Sequence, residues 1–276
     1  MTDKYAVIGN PIAHSKSPLI HRAFAKLTNQ DITYIPVLAT VNGFVETVKN
    51  LIAQGYQGAN VTVPFKFEAF ALCDEWSERA QSAGAVNTLL FEHNKIYGDN
   101  TDGVGLVVDI VKNLKIELHD KSVLLMGAGG AAYGVVLPLL EAGVQLSVAN
   151  RTPQKAWLLA EKFIGVQFPR IKGEGFEAFT GQAFDIVINA TSSGLSDELP
   201  AITANNFANN ALAYDMMYGR ETQFKKLANT CQLNNVQFAD GLGMLVEQAA
   251  EAFYLWRGVR PETASVIKAL RDGTLI

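Results

Sequence analysis

A short segment of the chain carries an amide, a hydroxyl and an amine close together, Asn60-Val-Thr-Val-Pro-Phe-Lys66. Neighbouring side chains of an extended strand alternate between faces, so we expect Asn60 and Thr62 to share a face while Val61 and Val63 turn towards the core. Pro64 should end the strand, which leaves Lys66 just beyond that end as a candidate proton donor. Ligands of open α/β sheets bind beyond the carboxyl ends of strands, so the segment predicts one wall of a pocket for a small polar ligand. The alternative is an amphipathic edge strand followed by a solvated lysine.

The composition is that of an ordinary globular protein. The 276 residues are 49% hydrophobic and 18% charged, which allows one large or two medium domains with a substantial core. A formal net charge of −4 and a pI near 5.6 argue against non-specific binding to nucleic acid or to an anionic membrane. The two cysteines and four histidines have neither disulfide nor metal-ligand spacing, so we expect no metal site. Any anionic ligand must therefore be held by local donors and not by the overall charge of the protein.

The chain shows no sign of export or membrane insertion. Its first residues lack the layout of a signal peptide. Residues 122–140 are uncharged over nearly the length of a membrane span, but the glycines among them indicate a strand, a turn and a helix. We therefore expect a cytoplasmic protein.

Strand and helix patterns alternate along the chain, which is typical of α/β architecture. In the first part we predict strands at residues 5–8, 33–38 and 58–63, helices at 18–27, 42–54 and 102–114, and a hairpin of strands 88–91 and 95–98. In the later part we predict six strands with helices between them, at residues 122–126, 145–149, 166–168, 185–189, 212–215 and 236–238. Six strands are the number of a dinucleotide-binding domain. Two helices, at residues 242–257 and 262–272, complete the chain.

These elements predict an N-terminal α/β domain and a Rossmann-type, doubly wound domain with a six-stranded parallel sheet. A helical tail most simply packs back onto the first domain, so we expect that domain to comprise residues 1–102 and 242–276 and to bind the substrate. The Rossmann domain would span residues 103–241. The glycines near the two crossings would make rotation between the domains inexpensive, or would serve only as turn residues: Gly103, Gly105, Gly241 and Gly243.

A glycine cluster directly follows the strand at residues 122–126, Gly127-Ala-Gly-Gly-Ala-Ala132. It fits the pattern G-x-G-x-x-A, in which Gly127 permits a tight turn and Gly129 lets the backbone approach a pyrophosphate. Ala132 allows close packing of the helix on the strand, and the phosphates rest on the helix N-terminus. In this strand–turn–helix context the motif predicts a dinucleotide site, and a glycine turn without a ligand is the alternative.

The next strand ends without the carboxylate that is typical of an NAD site. Asn150, Arg151 and Thr152 follow that strand instead, and Lys155 is close behind. The guanidinium of Arg151 can pair with a 2′-phosphate, whereas a carboxylate would repel it. The sequence therefore favours NADP as the cofactor, against the alternative of a plain surface arginine.

Nine segments spread over essentially the whole chain together resemble the shikimate dehydrogenase family. They are GNPIAHSKSP (9–18), NVTVPFK (60–66), GAVNT (84–88), GDNTDG (98–103), GAGGA (127–131), NRT (150–152), NATS (189–192), YDMMY (214–218) and DGLGMLVEQA (240–249). Each segment is modestly specific, but nine in the right order are very specific. The resemblance implies an oxidoreductase that reduces 3-dehydroshikimate to shikimate with NADPH, in the biosynthesis of aromatic amino acids.

The resemblance also implies roles for residues on the substrate side. Lys66, paired with Asp102, would be the catalytic group that neutralises the carbonyl oxygen. Ser15 and Ser17 would bind the substrate carboxylate near a helix N-terminus. The residues that would bind the ring hydroxyls are Asn60, Thr62, Lys66, Asn87, Asp102 and Gln248. Tyr218 would close the pocket from the cofactor domain.

Several of these positions have a structural alternative. Ser17 or Asp102 could cap a helix, Asn87 could be a turn residue, and Gln248 could be an exposed helix position. Met216 could fill the core instead of contacting a nicotinamide. The residues implied to bind the cofactor are Gly127, Ala128, Gly129, Gly130, Ala131, Asn150, Arg151, Thr152, Lys155, Ala190, Thr191, Ser192, Met216 and Gly241.

Two other functions stay open at this point. A quinate/shikimate dehydrogenase would accept quinate and relax the choice of cofactor, although Arg151 weighs against NAD. A non-catalytic sensor of NADPH or shikimate could lose Lys66 or Asp102, and both are present. The sequence allows a monomer or a homodimer.

Overall fold

The chain is divided into two compact units. The computed structural model describes residues 2–163, 171–191, 201–231 and 234–275. The first unit comprises Met1–Asp109 and Gly243–Ile276, and the second comprises Ile110–Leu242. The chain therefore leaves the first unit later than the boundary expected after Asp102.

The first unit is built on a mixed six-stranded sheet. Its strands are β1 (Asp3–Gly9), β2 (Ile32–Leu38), β3 (Tyr56–Val61), β4 (Glu75–Trp76), β5 (Thr88–Glu92) and β6 (Lys95–Asp99). Their order across the sheet is β2-β1-β3-β5-β6-β4. β1 pairs in parallel with β2 and β3, whereas β5 pairs antiparallel with β3 and β6. The first three strands thus form the parallel α/β part of this unit.

The second unit is built on a fully parallel six-stranded sheet. Its strands are β7 (Ser122–Met126), β8 (Gln145–Ala149), β9 (Ile171–Glu174), β10 (Phe184–Asn189), β11 (Phe207–Asp215) and β12 (Gln237–Asp240). Their order is β12-β11-β10-β7-β8-β9, and every neighbouring pair is parallel. The first strand of the unit lies in the middle and the order reverses there, which is the doubly wound order of a dinucleotide-binding domain. The predicted fold class is confirmed.

The α-helices of the described residues are α1 (Ser17–Thr28), α2 (Phe44–Ala53), α3 (Lys66–Leu72), α4 (Glu78–Ala83), α5 (Asp102–Val108), α6 (Gly130–Glu141), α7 (Pro153–Glu161), α8 (Gln223–Thr230), α9 (Leu242–Arg257) and α10 (Ala264–Arg271). A π-helical turn, Asp109–Asn113, continues α5. None of the described helices is both long enough and apolar enough to cross a membrane. The uncharged stretch at residues 122–140 forms β7, a turn and most of α6, as predicted.

Apolar residues cover both faces of β1, an inner strand of the first sheet. Ala6 and Ile8 of β1 belong to one core cluster, and Tyr5 belongs to another together with Trp256 of α9. Trp256 stacks on Tyr5 at 4.6 Å between ring centroids, and its indole N–H donates to the Leu89 carbonyl at 3.0 Å. The helix that follows the second unit therefore covers one face of the first sheet.

Three local expectations had different outcomes. The β5–β6 hairpin is present, and it turns at His93-Asn94 with φ of 51° and 59°, the positive values that a two-residue type I′ turn requires. Val63 was expected to face the core but is 58% exposed. The expectation was wrong because β3 already ends at Val61, so the alternation of faces does not continue to Val63. The predicted strand at residues 166–168 lies outside the described residues, and the third strand of the second sheet is β9.

The glycines near the crossings between the units are sites of close packing. A Cβ atom added at Gly105 would lie 2.7 Å from the Cβ of Gln248, and one added at Gly241 would lie 2.3 Å from the carbonyl oxygen of Met216. A Cβ atom added at Gly243 would likewise clash with a carboxylate of the same unit. Close contact with neighbours thus explains these glycines without any rotation, and it keeps α5 against α9 in the first unit.

Candidate active site

Five residues stand in one register row at the carboxyl edge of the second sheet: Asp240, Asp215, Asn189, Met126 and Ala149. The residue after each of them belongs to the predicted cofactor site: Gly241, Met216, Ala190, Gly127 and Asn150. Because parallel strands in register end at the same edge, these positions lie side by side along that edge. This edge is where open α/β sheets bind their ligands.

The turn between β7 and α6 has the shape that a pyrophosphate site requires. Gly127 has a φ of 105°, and an added Cβ would lie 3.1 Å from the carbonyl oxygen of Ala190, so only glycine fits. At Gly129, in contrast, an added Cβ would meet no described atom within 4 Å. Ala132 is fully buried, which lets α6 start close to the sheet. The space above Gly129 and the N–H groups at the start of α6 therefore fit a phosphate ligand. Ala128 lies half-buried in the same turn, and Gly130 and Ala131 lie half-buried at the start of α6.

The segment after β8 presents cationic side chains next to this turn. Asn150 donates its side-chain N–H to the carbonyl oxygen of Thr152 at 3.0 Å, which folds the chain back towards α7. Thr152 is the N-cap residue of α7, but its side chain makes no capping hydrogen bond. Arg151, Thr152 and Lys155 are all exposed. Two cations and a hydroxyl thus stand where an NAD site would carry a carboxylate.

Two buried polar residues at strand ends fix the neighbouring loops, and sequence reasoning gave them no role. The Asn189 side-chain N–H donates to Asp215 at 3.3 Å, and its oxygen accepts from the hydroxyl of Thr191 at 2.7 Å. Asp215 also accepts from the N–H of Met217 at 3.1 Å and from the hydroxyl of Thr222 at 2.7 Å. Burial raises the pKa of Asp215, and these hydrogen bonds offset the rise only in part. The sequence signal that could have identified both residues is a polar residue at the end of an otherwise apolar strand.

The remaining predicted cofactor residues lie on these loops. Met216 and Tyr218 are half-buried after β11, and buried Gly241 donates its N–H to the Met217 carbonyl at 3.1 Å. Met216 is therefore not simply a core residue. Ser192 lies outside the described residues. Tyr218 belongs to the second unit, so its predicted contact with the substrate stays a prediction.

Lys66 and Asp102 form an ion pair in the first unit. The ammonium of Lys66 donates to Asp102 Oδ2, and the two side chains are only 12% and 9% exposed. Lys66 is the first residue of α3 and Asp102 is the first residue of α5, so the starts of two helices bring the pair together. Thr101 is the N-cap residue of α5, which excludes the alternative that Asp102 caps this helix.

Two buried amides surround this pair. Asn87 donates to Asp102 Oδ1 at 2.8 Å and lies 3.3 Å from the side-chain oxygen of Gln248. Asn87 is 2% exposed and Gln248, on α9, is 9% exposed, so neither is a surface turn or an exposed helix position. One oxygen of Asp102 therefore faces an ammonium and the other faces an amide, and the carboxylate is held on both sides.

Asn60, on β3, and Thr62, just after it, have different hydrogen-bond partners. Asn60 is buried, its side-chain oxygen accepts from the Tyr34 hydroxyl at 2.7 Å, and its side-chain N–H donates to Thr88 Oγ1 at 3.0 Å. Thr62 is half-buried beyond the end of β3, and its backbone N–H donates to the carbonyl of Ile8 at 2.9 Å. Sequence reasoning did not assign a role to Tyr34 or Thr88.

The two serines that were expected to bind a carboxylate lie at the start of α1. Ser17 is buried and is the first residue of the helix, whereas Lys16 is its N-cap residue, so Ser17 is not the cap. Ser15 is half-buried, and its hydroxyl oxygen accepts from the Ser17 N–H at 3.3 Å. Both hydroxyls are thus next to a helix N-terminus, which favours an anion.

A second ion pair supports the cluster, and sequence reasoning missed it as well. Arg79 donates to both oxygens of Asp99, at 2.7 and 2.5 Å, and to Glu251 of α9 at 3.2 Å. Burial alone would raise the pKa of Asp99, but the hydrogen bonds and charge of Arg79 hold the pKa below its ordinary value. Arg79 therefore ties the end of β6, just before Asp102, to the helix that carries Gln248.

The first unit thus holds a nearly desolvated ammonium beside a carboxylate and several amides. Such a group can deliver a proton to an oxygen that gains negative charge. Within the described parts of the chain, no group of three or more His, Cys, Asp or Glu side chains could hold a metal ion.

Three protein-family models match the chain. The shikimate dehydrogenase substrate binding domain matches residues 7–89, the shikimate / quinate 5-dehydrogenase model matches residues 109–213, and the shikimate 5'-dehydrogenase C-terminal domain matches residues 241–271.

Individual relatives agree over nearly the full length. Shikimate dehydrogenase (NADP(+)) of Methylobacillus flagellatus is 57% identical, over 98% of this chain and 99% of its own. A crystal structure of an Ael1 enzyme from Pseudomonas putida is 47% identical, with 98% of both chains covered and a TM-score of 0.89. Shikimate 5-dehydrogenase from Thermus thermophilus, solved in complex with NADP(H) and shikimate, is 32% identical, with 98% and 99% of the chains covered and a TM-score of 0.85. The chain therefore belongs to the shikimate dehydrogenase family.

Proposed function

We propose that this chain catalyses the reversible, NADPH-dependent reduction of 3-dehydroshikimate to shikimate in the biosynthesis of aromatic amino acids. The observation that carries the proposal is the buried Lys66–Asp102 pair, set among amides in the first unit. The second unit supports it with open space above Gly129, the candidate phosphate cradle. Relatives with 57% and 54% identity have the name shikimate dehydrogenase (NADP(+)).

Lys66 and Asp102 perform the proton chemistry. The bound NADPH supplies the hydride that reduces the ketone carbon. As the carbonyl oxygen gains negative charge, the ammonium of Lys66 neutralises it and delivers a proton. Asp102 holds the ammonium in place, and Asn87 holds the other oxygen of that carboxylate. In the reverse direction Lys66 accepts the proton from the hydroxyl of shikimate.

The polar side chains around this pair bind the substrate. Ser15 and Ser17 bind its carboxylate at the start of α1, where the helix dipole favours an anion. Thr62, Asn87 and Gln248 bind the ring hydroxyls together with Lys66 and Asp102. Asn60, which the sequence places in the same group, already has its amide hydrogen-bonded within the protein at both ends. We also assign Tyr218, a residue of the second unit, to substrate binding.

The loops at the carboxyl edge of the second sheet bind NADPH. Gly129 and the start of α6 would hold the pyrophosphate, and Arg151, Thr152 and Lys155 would bind the 2′-phosphate. Ala190, Thr191, Met216 and Gly241 would contact the nicotinamide, and the resemblance assigns Ser192, outside the described residues, to the same group. A carboxylate at the position of Asn150 would repel the 2′-phosphate, and the chain has none there.

The partners of the chain are therefore small molecules, and we propose that it works in the cytoplasm as a monomer or a homodimer. Sedimentation of the purified protein over a range of concentrations distinguishes these two states. A single mass at all concentrations, matching one chain or two, is the expected result, and a larger assembly would contradict it.

The proposal is tested with the purified chain and four substrate pairs. Shikimate or quinate is mixed with NADP or NAD, and the absorbance band of reduced nicotinamide is followed. We expect rapid reduction of NADP by shikimate and much slower reaction in the other three mixtures. Comparable rates with quinate or NAD would favour a quinate/shikimate dehydrogenase. Binding of shikimate without any reduction of NADP would favour the non-catalytic sensor.

A further inference from the structure

A continuous line of buried hydrogen bonds connects β2 with the ion pair in the first unit. The hydroxyl of Tyr34 donates to Asn60 Oδ1 at 2.7 Å, and Asn60 Nδ2 donates to Thr88 Oγ1 at 3.0 Å. The Thr88 hydroxyl donates to Asn87 Oδ1 at 2.9 Å, and Asn87 Nδ2 donates to Asp102 Oδ1 at 2.8 Å. All five side chains are at most 9% exposed. The line therefore runs through the interior of the unit and ends on the carboxylate that holds Lys66.

Backbone groups fix the direction of every bond in this line. The N–H of Thr101 can only donate, and it donates to Asn87 Oδ1 at 2.9 Å, so the oxygen of the Asn87 amide must face it. The carbonyl of Asn87 can only accept, and it accepts from Asn60 Nδ2 at 3.3 Å. With both amides oriented, the Thr88 hydroxyl accepts a hydrogen bond from the Asn60 amide and donates one to the Asn87 amide. Neither amide can turn over without placing two acceptors or two donors together.

Tyr34 is suited to be the first donor of the line. Burial raises the pKa of Tyr34 well above its ordinary value, with Ser17 opposing this in smaller measure, so the phenol stays protonated over the working pH range. A protonated phenol always has a hydrogen to give, and Asn60 Oδ1 receives it. The ring of His21 stacks on Tyr34 at 4.2 Å between centroids, which keeps the phenol in place.

We propose that Tyr34 and Thr88 are positioning residues for the reaction, and that Asn60 acts with them instead of binding the substrate. They act through Asn87, whose amide they hold together with the N–H of Thr101, so that its N–H side faces Asp102. If that amide were free to turn, its oxygen would face the carboxylate and push it away from Lys66. This inference depends on the function proposed above, because it concerns the pair that delivers the proton.

The test removes single hydroxyls and keeps the shapes of the side chains. Thr88→Val breaks the line at its centre and should lower kcat about 10- to 100-fold, the effect of displacing a reacting group by a fraction of an ångström to 1 Å. Tyr34→Phe removes only the first donor and should lower kcat less, by roughly 3- to 10-fold. The KM for NADP should not change in either variant, because its site lies in the other unit. Thr88→Ser keeps the hydroxyl and should restore most of kcat.

A matched control separates positioning from general loss of stability. Thr47→Val removes a hydroxyl that donates to the Gly43 carbonyl at 2.8 Å in α2, away from the line, and should leave kcat unchanged. If Thr88→Val or Tyr34→Phe retains the kcat of the wild type, or if Thr88→Ser fails as badly as Thr88→Val, the inference is wrong. Should Thr88→Val not fold, Tyr34→Phe decides alone. A wild-type chain that does not reduce NADP with shikimate would instead contradict the proposed function, so the two failures are distinguishable.

Discussion

A buried histidine should make the stability of the first unit depend on pH. His21 is fully buried, stacked on Tyr34 and 5.4 Å from Trp256 between ring centroids. Neither ring nitrogen makes a hydrogen bond of ordinary geometry within the described residues. Burial, opposed in part by Asn60, lowers the pKa of His21 from 6.5 to about 3. The histidine is therefore neutral in the folded protein throughout the range in which it becomes charged in the unfolded chain.

The sign and size of the effect follow from proton linkage. Below pH 6.5 the unfolded chain binds a proton at His21 that the folded protein does not, so the free energy of unfolding falls as the pH falls. The slope approaches about 1.4 kcal/mol per pH unit, and between pH 8 and pH 5 the loss is ~2 kcal/mol. The contribution is fully present above pH 6.5 and is lost progressively down to about pH 3.

Urea unfolding at several pH values measures this effect. In a Trp157→Phe background the two remaining tryptophans, Trp76 and Trp256, both lie in the first unit, so fluorescence follows that unit. His21→Phe should remove the ~2 kcal/mol of pH dependence that His21 adds between pH 8 and pH 5. His14→Gln, a change at an exposed histidine, should leave the wild-type dependence unchanged. Equal losses of stability in the wild type and in His21→Phe over this range would refute the reasoning.

Three further predictions concern the cofactor and the two units. Arg151→Ala should weaken the binding of NADPH by about 1.5–3 kcal/mol and barely affect the binding of NADH, as titration of both cofactors will show. Equal weakening of both would mean that Arg151 is structural. Gly129→Ala should leave thermal stability unchanged, because its Cβ meets no described atom within 4 Å, but should raise the Kd for NADPH. An unchanged affinity would contradict the proposed phosphate cradle. Structures without ligands and with both ligands should differ by a rigid rotation about the crossings at 109/110 and 242/243, and identical angles would refute closure.

The sequence predicted those parts of the fold that depend on local patterns. Apolar strands followed by glycine-rich or polar turns identified β7, β8, β10 and β11, and with them the edge on which the cofactor residues lie. The sequence predicted that β3 extends to Val63, which is wrong because alternation of residue types does not show where a strand stops pairing. The third strand of the second sheet was not found, because its sequence, Ile171–Glu174, has no apolar alternation beyond its first residue.

The parts of the site that the sequence did not predict depend on contacts between distant segments. Tyr34 and Thr88 lie on different strands, and only the pairing of the sheet brings both to Asn60. Arg79 reaches Glu251 across 172 residues of sequence, and no local pattern reports such a contact. The residue types of Lys66 and Asp102 do not by themselves show that these side chains are partners. Only the family resemblance indicated the pair.

The central claim is that Lys66, held by Asp102, delivers the proton, and the most direct measurement is the steady-state kinetics of Lys66→Ala. We predict that its turnover with shikimate and NADP falls by about 10²–10⁴-fold, the usual effect of losing a general acid–base group, while the KM for shikimate changes much less. Lys26→Ala, a change at an exposed lysine of the same unit, should retain wild-type turnover. A Lys66→Ala enzyme whose turnover stays within a few-fold of the wild type would contradict the account.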